Sequence, residues 1–256
     1  MVKLYINMDN NPNILNHELS NQEEYNMKAL IIQRMYRGHS IRNERLPNIL
    51  YKIQSHLSGI GIESCTLSDD GRTNSCFDEG NIIEYLEQQF PGRIKKPDIR
   101  MWYDILVKDY KYEWLPVNIK TTTTETSDNT GNLAMCVYAY TDENLDLNIK
   151  YQNGSMSDLL IRKLNERRFN YNSKKDYYFL VVNKNNTQEV IINSCKGLSH
   201  LTPNNNNLPF QVNWGRNKEY NFINIHKSIH KLITCLQRPS PSWSEIFLQN
   251  IRNITV

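Results

Sequence analysis

The sequence predicts an α/β fold with a mixed central sheet flanked by helices. Two β-type runs at residues 99–107 and 112–120 are joined by a short polar link, which is hairpin spacing. Further β-type runs follow at 177–183, 189–193 and 209–214. Stretches with helical spacing lie on either side of the hairpin, and this mixed order belongs to layered α/β domains. At 256 residues the chain is long enough to bury one sizeable core, so one domain is expected over residues 1–256.

Residues 1–25 open with a short apolar run, then turn polar and Asn-rich, the composition of an N-terminal arm. Tyr25, Ala29, Ile32 and Tyr36 mark an amphipathic helix over 23–36. Gly38-His39-Ser40 reads as a break and an N-cap, and a second helix is expected over 41–56 with Pro47 near its first turn. Residues 64–80 are rich in turn formers and read as a loop. A short helix over 82–90 buries Ile83, Leu86 and Phe90 and is ended by Pro91-Gly92. After the hairpin, 121–132 is polar and rich in hydroxyls. Residues 134–140 fit a core helix or a strand, because periodicity alone does not separate the two. A basic helix over 155–169, an Asn-rich loop at 204–207, a helix over 222–237 and a tail with Pro239, Pro241 and Trp243 complete the chain.

The hairpin is where chemistry-bearing residues gather. The start of its first strand lies beside the end of its second, so Asp98 is expected next to Asn118 and Lys120, about twenty residues away in sequence. Alternation along the strand turns Asn118 and Lys120 to one face and Ile119 to the other. An acid, an amide oxygen and an ammonium at one point outline a metal and phosphate site. Mg2+ is a hard cation that takes oxygen ligands. Asp98, the Asn118 side-chain oxygen and the Ile119 backbone carbonyl are the candidate ligands. Lys120 is placed to hold an attacking water or to stabilise a pentavalent phosphorane. Glu44, in the early helix, is a candidate additional carboxylate.

Lys96-Pro97-Asp98 followed by a hairpin ending Val117-Asn118-Ile119-Lys120 resembles the core of the PD-(D/E)xK nucleases, and within them the type II restriction endonucleases. Asn118 stands where the second acidic residue is expected, an Asn-x-Lys variant of the motif. The resemblance implies a restriction-endonuclease-like core and Mg2+-dependent hydrolysis of double-stranded DNA at a specific sequence. It also implies a homodimer and a cognate DNA methyltransferase as functional partner. Asp98, Asn118, Lys120 and Glu44 would be the catalytic set. DNA contacts are expected from Arg42, Asn43 and Lys96 and from two loops. Thr121, Thr122, Thr123, Ser127 and Asn129 form the first loop; Asn213, Arg216, Asn217 and Lys218 form the second. Arg and Lys suit guanine edges, Asn suits adenine, and both suit phosphate.

The net charge of +3 permits nucleic acid without arguing for it. Five dispersed cysteines without a C-x-x-C pair fit reduced thiols better than a disulfide framework or a zinc site. The chain has no long apolar run and no signal-type apolar N-terminal segment, so a cytoplasmic protein is expected. A different class of function is offered by Ile32-Gln33, Arg37-Gly38 and Arg42, which fit the spacing of a calmodulin-binding IQ motif, although Arg45 falls where an apolar residue is expected. The remaining alternatives are a DNA-binding protein without catalysis and a repair nuclease of the same fold.

Overall fold

The computed structural model describes Lys28 and residues 46–61, 71–97, 101–110, 113–130, 132–204, 209–237 and 245–254. The chain divides into two units, Met1–Arg45 and Leu46–Val256. In the first, Lys28 is helical and exposed. All the elements named here belong to the second.

Helix α1 (Asn48–Ile60) starts after Pro47, which stands at its N-cap, where a missing N–H costs nothing. Ile49, Leu50, Ile53 and Leu57 form its buried stripe, and Gly61 ends it at φ 61°, a left-handed conformation that glycine adopts freely. Helix α2 spans Gly71–Gln89. The expected loop over 64–80 is therefore corrected: its part from Gly71 onward is helix. Gly71, Asn74, Ser75, Asp78 and Gly80 are poor helix formers, but burial of Ile82, Ile83 and Leu86 further along outweighs local propensity.

Strands β1 (Ile94–Lys95), β2 (Ile105–Lys108) and β3 (Trp114–Thr122) form an antiparallel meander, with Ile105 opposite Val117 and Lys108 opposite Trp114. The hairpin exists as expected, but its first strand begins at Ile105 rather than Ile99. Pro116 sits inside β3 without losing a ladder bond, since pairing with the next strand begins at Val117. After β4 (Ser127–Asn129), helices α3 (Leu133–Tyr140) and α4 (Asn153–Asn165) make the crossover that a parallel pair requires. Strand β5 (Tyr178–Asn183) then lies parallel to β3, and β6 (Asn186–Ser194) antiparallel to β5. The result is a mixed five-stranded sheet in the order β1-β2-β3-β5-β6, with helices on both faces. A short strand, β7 (Gln211–Asn213), pairs with β4 in a separate ribbon, in a stretch expected to be loop on the β4 side. Helix α5 (Ile225–Leu236) follows. The expected C-terminal tail contains helix α6 (Glu245–Arg252), whose Phe247, Leu248 and Ile251 are buried.

Two cores result. Val117, Ile119, Leu180 and Ile192 pack against α1 and α2 on one face of the sheet. Phe179, Val181 and Ile191 pack against α3, α4, α5, α6 and Trp214 on the other. Both faces of β5 are covered, which is why 178–182 reads as a continuous apolar run without alternation. The ambiguous stretch at 134–140 is helix, capped by Asn132, whose side chain accepts from the Met135 N–H.

Leu50 is fully buried against the sheet whereas Ile60, on the same helix, is 47 % exposed. Leu50→Ala is expected to cost about 2–5 kcal/mol in urea unfolding, and Ile60→Ala less than about 0.5 kcal/mol. Equal losses at the two positions would contradict the packing described for α1.

Candidate functional site

The antiparallel register that sets Ile105 opposite Val117 sets position 104 opposite position 118. The acid opposite Asn118 is therefore Asp104, at the point where β2 begins. Its Oδ2 accepts from the Ile119 N–H at 2.7 Å and from Asn118 Nδ2 at 2.6 Å. Asp98 and Glu44 lie outside the described residues, as do Arg42 and Asn43 and the whole of the Ile32–Arg45 stretch carrying the IQ-like spacing. Lys96, just beyond β1, is exposed.

A second carboxylate arrives from α2. Glu79 Oε1 accepts from the Thr121 N–H at 3.4 Å and stands 4.0 Å from the Lys120 ammonium. Residues 117, 119 and 121 direct their N–H and C=O groups to the edge of β3 that β2 covers lower down. Beyond the start of β2 no strand among the described residues pairs with that edge, and the two carboxylates take its N–H groups at 119 and 121. The Ile119 carbonyl leaves on the same edge, between them. Asn118, 7 % exposed, and Lys120 share one face of the strand, and Ile119 is fully buried on the other, as alternation predicts.

Burial governs the electrostatics. It raises the Glu79 carboxyl to about 7, with Asp104 adding to the rise and Lys120, the Thr121 N–H and Lys184 opposing it. Burial also raises Asp104, against Lys120 and the Ile119 N–H. Asp128 on β4 is raised by burial too, against the Thr122 hydroxyl, Lys120, the Trp214 indole and Lys184. Carboxyls that hold protons more tightly than usual beside one partly exposed lysine suit a site built to take an additional cation.

The donor set fits a hard cation. Asn118 Oδ1 is buried with no hydrogen-bond partner among the described residues, an oxygen of the kind that a metal ion would satisfy. Asp104, Glu79 and the Ile119 carbonyl complete an all-oxygen set. Among the described residues no group of three or more His, Cys, Asp and Glu side chains could hold a metal ion. A cation here would depend on the amide and backbone oxygens beside two acids.

The expected DNA-contacting residues divide. Thr121 and Thr122 are buried in β3, and Thr123 is half-buried. Ser127 and Asn129 are exposed on β4, and Asn129 Oδ1 accepts from Asn204 and Gln211. Asn213 caps the turn Trp214–Arg216 and donates to the Glu125 carbonyl. Arg216 is exposed, and Lys218 pairs with Glu189. Asn217 departs from expectation: it is 1 % exposed, its amide donates to the His200 and Asn213 carbonyls, and its oxygen accepts from Ser199 and His200 N–H groups. Every group that could read a base is used to hold its own loop.

Sequence reasoning missed Asp104 and Glu79. Asp104 carried a signal, since it immediately precedes the apolar run Ile105-Leu106-Val107 and thus marks the strand's start. Glu79 sits three and four residues before Ile82 and Ile83, but the surrounding turn formers hid the helix. In comparisons with known proteins, no family model, no curated protein and no solved structure matches this chain.

Because the folded protein holds the Glu79 proton more tightly than the unfolded chain does, the cost of ionising it is absent below pH about 4.5, grows as pH rises, and is complete above about 7. Glu79→Gln is therefore expected to raise the melting temperature at pH 8 and to leave it unchanged at pH 4. A melting temperature lowered at pH 8 would show that the ionised form of Glu79 stabilises the fold.

Proposed function

We propose that this chain is a sequence-specific, Mg2+-dependent double-stranded DNA endonuclease with a restriction-endonuclease-like core. Asp104 is taken as the first acid of the PD-(D/E)xK pattern, and Asn118-Ile119-Lys120 as its second half. The observation that carries the reading is the meeting of Asp104, Glu79, Asn118 and Lys120 at the edge of β3 beyond the start of β2. The mixed sheet with this hairpin inside it is in keeping with such a core.

Asp104, Asn118 Oδ1, the Ile119 carbonyl and Glu79 would hold the cation. Bound Mg2+ supplies charge neutralisation at the scissile phosphate and a more acidic water. The chain's own residues do the rest. The Ile119 N–H fixes the Asp104 carboxylate in place, so the acid does not have to be ordered when substrate arrives. The Lys120 ammonium, held between solvent and Glu79, offers N–H donors to an attacking water and to the charge that develops on the phosphoryl oxygens. In the metal-free chain burial raises the Glu79 carboxyl to about 7, so binding of the cation would release a proton from it near neutral pH.

Cutting both strands of a palindromic site is most simply achieved by a two-fold dimer, so a homodimer with a companion DNA methyltransferase completes the proposal. The exposed residues Lys96, Ser127 and Arg216 are the candidate DNA contacts, with phosphate as the expected target of the two cations.

Incubation of plasmid DNA with the protein and Mg2+ is expected to give discrete bands. Asp104→Ala and Lys120→Ala should each lower the cleavage rate by about 100-fold or more with the far-UV circular dichroism unchanged. Discrete bands from Lys120→Ala at the wild-type rate would remove the catalytic assignment. Smears in place of bands would point to a non-specific nuclease, and retained DNA binding without any cleavage to a binding protein. Asn118→Asp adds a charge to the donor set and is expected to lower the Mg2+ concentration needed for half-maximal cleavage.

A further inference from the structure

Away from the two acids, a hollow of about 300 Å³ opens between the 199–202 segment, the Trp214–Arg216 turn and α5. Its polar lining is cationic or neutral. Arg216, Lys231, His200 and His230 face it, and no Asp or Glu among the described residues lines it. The Arg216 guanidinium is in none of the ion pairs among the described residues. Lys231 spends one N–H on the Ser199 carbonyl at 3.0 Å and keeps two. The hydroxyls are committed elsewhere: Thr202 and Thr234 donate to the Gln211 and His230 carbonyls, and Ser199 bonds His200 Nδ1. The hollow thus presents charged donors that have no counter-ion among the described residues. Burial, and after it the neighbouring Lys227, hold the Lys231 ammonium below its usual range.

We propose that this hollow is an oxyanion site that takes a phosphate group. Arg216 would grip two oxygens in its planar fork, and Lys231 and the imidazoles would supply the remaining donors. The volume lies at the lower end of the range of small-molecule sites and holds a phosphate with an attached sugar. Arg216 is not free to swing with its loop. The Gly215 N–H donates to the Thr124 carbonyl at 2.9 Å, and a Cβ at Gly215 would lie 2.9 Å from that same oxygen. The turn therefore seats on Thr124, four residues beyond Lys120 on the same chain segment. The phosphate can come from a nucleic-acid strand or from a free nucleotide, and the proposal stands independently of catalysis.

The test is calorimetric titration of the full chain, in metal-free buffer, with pyrophosphate, with adenosine 5′-monophosphate and with a short DNA duplex. Arg216→Gln and His230→Gln alter exposed side chains, and Lys231→Met removes the inner cation. Binding of a small anion is expected, weakened about tenfold or more by Arg216→Gln and by Lys231→Met at unchanged melting temperature, as for loss of one charged hydrogen bond. If duplex binding weakens in parallel and the small anion competes with it, the source is strand phosphate. If duplex binding is untouched, the source is a free nucleotide. Failure of both small anions to bind at millimolar concentration, or binding that ignores all three substitutions, overturns the proposal.

Discussion

The bond from the Ile119 N–H to the Asp104 carboxylate is the constraint around which the candidate centre is built. A strand whose neighbour stops short leaves backbone donors that must find partners when buried. Here β2 begins at Ile105, and the side chain of the residue just before it stands in for the missing ladder. Glu79 does the same from α2 at Thr121. The carboxylates are consequently held by the backbone of the strand that carries Asn118 and Lys120, and their positions follow from strand register rather than from loop conformation.

That arrangement explains the energetic balance of the site. Hydrogen bonds from N–H groups to a carboxylate contribute about 1.5–3 kcal/mol each, enough to draw an acid into partial burial but not to cancel the cost of burying two. The raised carboxyls of Glu79 and Asp104 are the residue of that imbalance, and the Asn118 oxygen, partnerless among the described residues, adds to it. Stability has been given up at the same few atoms where cation chemistry would be performed, which is where local inconsistency is expected in a functional protein.

Much of the layered fold was legible in the sequence, because apolar period two and period 3.6 differ and because the hairpin spacing is short. Asn118, Lys120 and the inward turn of Ile119 followed from alternation alone. Asp104 as the partner of Asn118 did not, since finding it requires the residue at which β2 begins; Asp98 lies outside the described residues. Trp102 and Tyr103 look like strand residues yet belong to a bend, the Trp102 ring packing with those of Tyr103, Tyr138 and Tyr177. Helix α2 was hidden for the converse reason. Its N-terminal half is rich in poor helix formers, and the burial of Ile82, Ile83 and Leu86 in its C-terminal half keeps that half helical. Asn217 reads as a recognition residue by type, and only its burial reveals that it serves the loop.

The outer strand β1 has further bearing on how copies of the chain can meet. It is two residues long, and Lys95 and Lys96 stand exposed at its end. A rim so short and so charged gives an incoming β-strand little backbone to pair with and a desolvation cost at once. Continuous sheet extension across two copies is therefore disfavoured at this margin, and self-association would have to be mediated by side chains instead of by main-chain pairing there.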